Sequence, residues 1–207
     1  MKVYFLYISY LQTTLLTIGV GSLVVLPSLI VFYPEVITPD VSNTLYAVSH
    51  ASLLFVMTIR PLADIFTRRR FIRPLVQLRK GAGVLTASIV ISFLLAKIIM
   101  DPTGFFTSLG TSAYWSMTNL ALLAHLADIT GIILLITSNN FSKHLLGVWW
   151  KRIQRLSYVF FYASGIYVVA SYGDMLVLNY LCIVTILTII AWIKNRARRA
   201  SASALIK

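Results

Sequence analysis

Acidic residues are nearly missing from this chain. Six Asp and Glu stand against 18 Lys and Arg in 207 residues, and only 12% of positions are charged, where a soluble domain carries roughly 25%. The apolar share is 58%. That much apolar surface has no place in one water-soluble core, so the composition excludes an ordinary soluble domain and predicts an integral membrane protein in contact with the lipid bilayer. Cysteine is limited to Cys182, inside an apolar run. A lone cysteine excludes an intrachain disulfide and a thiolate metal site, and leaves the redox compartment open. No Gly-rich nucleotide loop, zinc-ligand spacing, P-loop or nucleophile elbow occurs, so no flavin or nicotinamide domain and no catalytic constellation is expected here. The apolar runs also lack the charged rings of an ion pathway, and no internal repeat is visible.

What is abundant is apolar sequence in long runs. A hydrocarbon core about 30 Å thick needs roughly 20 apolar residues per helix. Six segments qualify, at about 4–32, 44–66, 83–100, 114–137, 153–171 and 175–193. The expected fold is all-α: a polytopic bundle of six transmembrane helices over residues 1–193, followed by a basic tail over 194–207. The first segment has Lys2 as its only early charge and no small-residue cleavage site after it. It exceeds a signal-peptide core of about 7–15 residues and reads as a retained span.

The net charge of +12 sits in short clusters between apolar runs, which marks membrane topology rather than nucleic-acid binding. One cluster holds Arg68, Arg69, Arg70, Arg73, Arg79 and Lys80. A second holds Lys143, Lys151, Arg152 and Arg155, and the tail adds Lys194, Arg196, Arg198, Arg199 and Lys207. With six spans, all three clusters and the N-terminus fall on one side, which the excess of cations makes cytoplasmic. The opposite loops carry Glu35, Asp40, Asp101 and Asp174, with Lys97 as the only nearby cation. They are short, and their Pro34, Pro39, Pro102, Gly104, Gly110 and Gly173 favour turns over further helix. None is long enough for an extramembrane domain. The run 196–204 is expected as a mobile tail near anionic lipid.

Few polar residues lie inside the runs. His50 falls in span two and His125 in span four, at depths differing by roughly 8 Å at 1.5 Å per residue. A tilted haem between them is one reading. Asp128 follows His125 by three positions and shares its helix face. With Asn119 the two form either a proton relay or quinone contact, or a packing contact between helices. His144 reads as a solvated or headgroup residue of the basic turn. Arg60 with Asp64, and Lys97 with Asp101, have the spacing of intrahelical pairs. Trp115, Trp149, Trp150 and Trp192 lie near the expected interfaces, where indoles anchor. The aromatic face over 158–167 reads as helix packing.

Two stretches carry a family resemblance. The first runs from Thr58 to Gly83 and contains Arg60-Pro61-Leu62, an aromatic and basic loop, and Arg79-Lys80-Gly81-Ala82-Gly83. The second runs from Thr137 to Ser157 as Thr-Ser-Asn-Asn-Phe-Ser-Lys-His-Leu-Leu-Gly-Val-Trp-Trp-Lys-Arg-Ile-Gln-Arg-Leu-Ser. In this order, with this helix count, the chain resembles ferric-reductase-like transmembrane domains over about residues 44–192. The membrane haem subunit of periplasmic methionine-sulfoxide reductase systems is one such domain. The resemblance implies a multi-pass protein of the bacterial inner (plasma) membrane that moves electrons through b-type haem held by histidines on helices three and five. Those positions fall here on Phe93, Ser157 and Ala170, none of which supplies an imidazole. Three functions follow as expectations. The first is a haem-free partner or structural subunit of a membrane complex. The second is transmembrane electron transfer with haem b on His50 and His125 or on a partner's residues. The third is quinone or lipid binding at His125 and Asp128.

Overall fold

The computed structural model describes residues 2–67, 69, 71–117 and 120–204. Among them there are helices and turns but no strand. The helices in chain order are α1 (Lys2–Phe32), α2 (Pro39–Ile65), α3 (Ile72–Leu75), α4 (Arg79–Met100), α5 (Pro102–Leu109), α6 (Ala121–Thr137), α7 (Asn140–Leu146), α8 (Val148–Ile153), α9 (Leu156–Tyr172) and α10 (Met175–Ala204). Four of the apolar helices are long enough to cross a membrane. The number becomes five if α6 and α7, bent by 94° at their junction, count as one span. These are the apolar helices of a multi-pass membrane protein, and the expected all-α class holds.

The helix ends follow from local chemistry. Thr38 caps α2 by accepting from the Val41 amide, with Pro39 as the first helical residue and Asp40 in the first turn. Asp101 caps α5 in the same way, accepting from the Gly104 amide at 2.9 Å. Gly173, at φ +68°, ends α9 in the left-handed region, and Asp174 then accepts from the Leu176 amide at 2.9 Å to start α10.

Several expected boundaries move. The segment 101–113 was expected as turns but contains α5, because Pro102 and the Asp101 cap start a helix there. Span four was expected from 114, yet α6 begins at Ala121. Leu120 sits at φ 55°, which breaks the helix, and Ser112–Trp115 forms a separate 3₁₀ turn. Span three extends backward, since the helical path toward Met100 starts at Ile72. The run 196–204 is not a loose tail but the continuation of α10, which ends at Ala204. α6 and α9 each have 17 residues, about 25 Å of helix at 1.5 Å per residue.

α4 is the centre of the bundle. It packs against α1, α2 and α6; α6 packs against α9, and α10 against α2 and α9. α1 and α4 approach closely. A Cβ at Gly81 would lie 2.9 Å from Leu15 Cβ and 3.0 Å from the Gln12 carbonyl oxygen, and one at Gly19 would lie 3.0 Å from the Leu85 nitrogen. Small residues permit this contact, which in lipid replaces the hydrophobic drive that operates in water. Ser92 Oγ donates to the Ser88 carbonyl at 2.7 Å and to the Ser22 carbonyl on α1 at 3.3 Å, and Thr86 Oγ1 donates to the Ser49 carbonyl on α2 at 3.3 Å. The core between α2, α4, α6, α9 and α10 is apolar, with Leu53, Met57, Leu134, Phe160, Phe161 and Val184 buried in one cluster. α1 and α10 turn most of their apolar surface outward, as lipid-facing helices do.

Candidate functional site

The bundle has one basic end and one opposite end, and the polar groups at the two ends are arranged differently. At the opposite end, His125 and Asp128 stand one turn apart on α6, both half-buried. Tyr114, from the 3₁₀ turn, lies flat on the His125 imidazole with ring centres 3.4 Å apart, and Trp115 meets the same ring edge-on at 5.9 Å. Trp115 is fixed by donating Nε1–H to the Leu109 carbonyl at 2.9 Å. The segment expected to open span four therefore folds over the α6 N-terminus and covers the histidine. His125 Nδ1 is buried without a hydrogen-bond partner, which is uncommon for a native buried polar atom and points to function or a missing partner.

Three further helices contribute to this end. Lys97, near the end of α4, exerts its charge on both His125 and Asp128. Tyr46 on α2 and Tyr167 on α9 feel the Asp128 carboxylate, as does Tyr114. The Asp101 carboxylate caps α5, and the charge of Lys97 is felt at both His125 and Asp128. The sequence brought out His125 and Asp128 by their spacing. Lys97 was visible as the only cation near the acidic loops, but its partner was assigned to its own helix. Tyr46 carried no sequence signal, and Tyr167 was read only as part of the packing face over 158–167, because their relevance to this end arises from which helices meet. Asn119, expected beside this pair, lies outside the described residues, as do Arg68, Arg70 and Lys207.

His50 is not part of this cluster. It lies half-buried on α2, with Nδ1 bonded to the Tyr46 carbonyl of its own helix at 2.8 Å. That bond leaves Nε2 as a potential ligand atom. The surroundings of His125 do not favour a haem shared with it, and α2 and α6 make no broad contact in the bundle. Tyr114 also occupies one face of the His125 ring. Among the described residues, no group of three His, Cys, Asp or Glu is placed to hold a metal ion.

The positions that the resemblance matches to haem histidines differ in environment. Phe93 stacks on Tyr46 with ring centres 5.1 Å apart and planes 14° from parallel, so an aromatic pair joins α4 to α2. Ser157 is buried, and its hydroxyl donates to the Gln154 carbonyl at 2.9 Å. Ala170 is exposed near the other end of α9.

The basic end is a set of helix joints. Trp150 Nε1 donates to the Thr137 carbonyl at 2.9 Å, and Gln154 Nε2 donates to Thr137 Oγ1 at 3.2 Å. Both fix the end of α6 to the elbow formed by α7 and α8. Asn139 caps α7 by accepting from the Ser142 amide at 2.6 Å, and Lys80 donates to Asn140 Oδ1 at 3.1 Å. The α10 extension is latched to the end of α2: Lys194 donates to the Ile65 carbonyl, Asn195 to Asp64 Oδ2 and Arg198 to Thr67 Oγ1, at 3.2–3.3 Å. The Asp64 partner is thus Asn195 on another helix, not the expected Arg60. Exposed His144 sits on α7, as expected for a headgroup or solvent residue. Arg152 lies over Trp149 at 4.5 Å and Arg196 over Trp192 at 5.5 Å, pairings that suit a membrane interface. Comparison with family models, characterised proteins and solved structures finds no match to this chain.

Proposed function

We propose that this chain is a haem-free membrane subunit of ferric-reductase-like type, which supports a partner or complex in a bacterial inner membrane. Its six spans place both termini and all three basic clusters in the cytoplasm. α6 and α9 act as short spans, about 25 Å each at 1.5 Å per residue, within the lower range for a crossing helix. The observation that carries the proposal is the state of the ligand positions. Phe93 is engaged with Tyr46, and the Ser157 hydroxyl with its own backbone. Function then resides in lateral and cytoplasmic contacts, not in a redox centre.

The test is an absorption spectrum of detergent-purified protein, oxidised and dithionite-reduced, with a pyridine haemochrome assay. Folded protein without a b-type signal, recovered together with a defined membrane partner, supports the proposal. A stoichiometric b-type signal overturns it and establishes electron transfer, with His50 the first ligand to replace. A second reading is favoured by one observation, the unpartnered His125 Nδ1 beside Asp128 and Lys97. In that reading the cluster holds the polar head of a quinone or lipid, with His125 donating to it and Asp128 setting the proton balance. An Asp128→Asn variant that loses a co-purifying quinone supports it; an unchanged lipid and quinone extract rejects it.

A further inference from the structure

The elbow at the basic end has a feature that neither reading uses. Phe141 and Leu145 on α7, and Val148 and Trp149 on α8, are 75%, 74%, 78% and 62% exposed. They are the most outward-facing large apolar groups of this region among the described residues. Between and beside them stand exposed Lys143, Lys151 and Arg152, and the stretch from Thr137 to Ser157 contains no acidic residue. Scattered apolar residues on a surface are ordinary, but four grouped on one elbow and rimmed by cations of one sign are an interaction site.

Geometry decides what the site meets. α6 is apolar and 17 residues long, and α7 leaves it at 94°. If α6 runs across the bilayer, α7 runs along its surface, at the level where α6 ends. A helix in that orientation with bulky apolar groups and lysines reaches the boundary between acyl chains and headgroups. The joint is held firmly enough to keep this orientation: Trp150 and Gln154 both bond to Thr137 at the end of α6, and Asn139 caps the first turn of α7. The indole of Trp149 under the Arg152 guanidinium pairs an apolar plate with a cation, which matches a phospholipid whose headgroup is anionic.

We infer that the α7–α8 elbow is an in-plane lipid-docking surface, with Phe141, Leu145, Val148 and Trp149 inserted at the acyl boundary and Lys143, Lys151 and Arg152 holding anionic phospholipid headgroups. The inference rests on α6 crossing the membrane, and on no assumption about haem. The occupant is a lipid surface and not a protein groove, because the apolar groups lie on a bent, short-helix edge surrounded by like charges. Neutral lipid would satisfy the apolar groups but leave the cations unpaired, so the docking is selective for acidic headgroups.

The experiment uses the full chain with Cys182→Ser and one environment-sensitive fluorophore on an introduced cysteine, reconstituted into vesicles of neutral phosphatidylcholine or of phosphatidylcholine with phosphatidylglycerol. One label is placed through Leu145→Cys on the elbow and one through Ile129→Cys on the outward face of α6. Both positions are exposed, at 74% and 42%, so the label does not disturb the core. The expected result is blue-shifted emission at position 145 that is quenched by nitroxide lipids, more strongly in the anionic vesicles and less so at high salt. Equal quenching in both vesicle types overturns the headgroup selectivity. An aqueous spectrum at 145 with a hydrocarbon spectrum at 129 overturns the docking while leaving α6 as a span. Aqueous spectra at both positions remove the span itself, and with it the inference.

Discussion

The α1–α4 seam allows packing and helix propensity to be separated on one helix. Gly19 and Gly21 both lie inside α1, so replacing either with Ala gives the same intrinsic gain of roughly 1 kcal/mol in helix propensity. Their surroundings differ. A Cβ on Gly21 meets nothing within 4 Å, whereas one on Gly19 meets Leu85 N at 3.0 Å, Leu85 Cα at 3.1 Å and Val84 Cγ1 at 3.1 Å. Carbon atoms prefer separations of about 3.5–4.0 Å, and two of the three neighbours are backbone that cannot rotate away. α1 must therefore move off α4, loosening Gly81 against Leu15 and the Ser92 bond to Ser22 at the same time. Overpacking of this kind costs about 1–3 kcal/mol. Because propensity cancels between the two variants, Gly19→Ala should unfold about 1–3 kcal/mol more easily than Gly21→Ala. The assay is reversible unfolding in mixed micelles with increasing SDS fraction, followed by circular dichroism. Agreement of the two variants to within about 0.5 kcal/mol, the usual limit of additivity, would refute the packing argument. Gly81→Ala combined with Gly19→Ala should be less damaging than the sum, since one displacement of α1 relieves both contacts.

Other consequences concern the joints. Gly165→Ala should cost less than Gly19→Ala in the same assay, because its new methyl meets the Leu181 side chain, with Cδ2 at 2.7 Å, rather than backbone. Trp150→Phe removes the bond to the Thr137 carbonyl, a loss of about 0.5–1.5 kcal/mol, and should speed amide exchange across 138–146 without changing exchange in α4. Asn195→Ala and Arg198→Ala should free the α10 extension, seen as faster exchange over 195–204, while the unfolding midpoint changes little; unchanged exchange would show that the latch bonds are unimportant. For topology, a Cys182→Ser, Ser201→Cys protein in intact cells should react with a permeant thiol reagent and not with an impermeant one. Reaction with both would reverse the orientation or make the span number odd.

The long apolar runs made most of the fold legible. Hydropathy found the centres of all the major helices because lipid-facing and core-facing positions are both apolar, so a span gives a continuous signal. It failed at the ends, for different reasons. At the start of α6, the aromatic pair Tyr114-Trp115 was read into the span, while the left-handed conformation of Leu120 places the helix start at Ala121. At the end of α10, the charge of 194–204 suggested a solvated tail. Yet Ala and Arg are among the better helix formers, and three bonds to α2 near Ile65 and Thr67 hold the extension. The site was legible by half. Spacing along one helix identified His125 and Asp128, but the side chains that complete the cluster come from α2, α4 and α9, and no local pattern encodes which helices meet.

The two stretches that carry the family resemblance prove to be physically one joint. Lys80, in the first, donates to Asn140, in the second, at 3.1 Å. Thr137, Asn139, Trp150 and Gln154 spend their polar groups on ending α6 and starting α7 and α8. Asn195 and Arg198 tie α10 to Asp64 in the last turn of α2 and to Thr67 just beyond it. Every one of these bonds satisfies a helix terminus or joins two helices at the basic end, and none depends on a cofactor deeper in the bundle. Under the proposed haem-free reading, these bonds would keep the helices registered with no imidazole needed at Phe93, Ser157 or Ala170. The place to look for an activity that remains is the opposite end, where His125 Nδ1 is buried without a partner and Lys97 stands in electrostatic reach of Asp128.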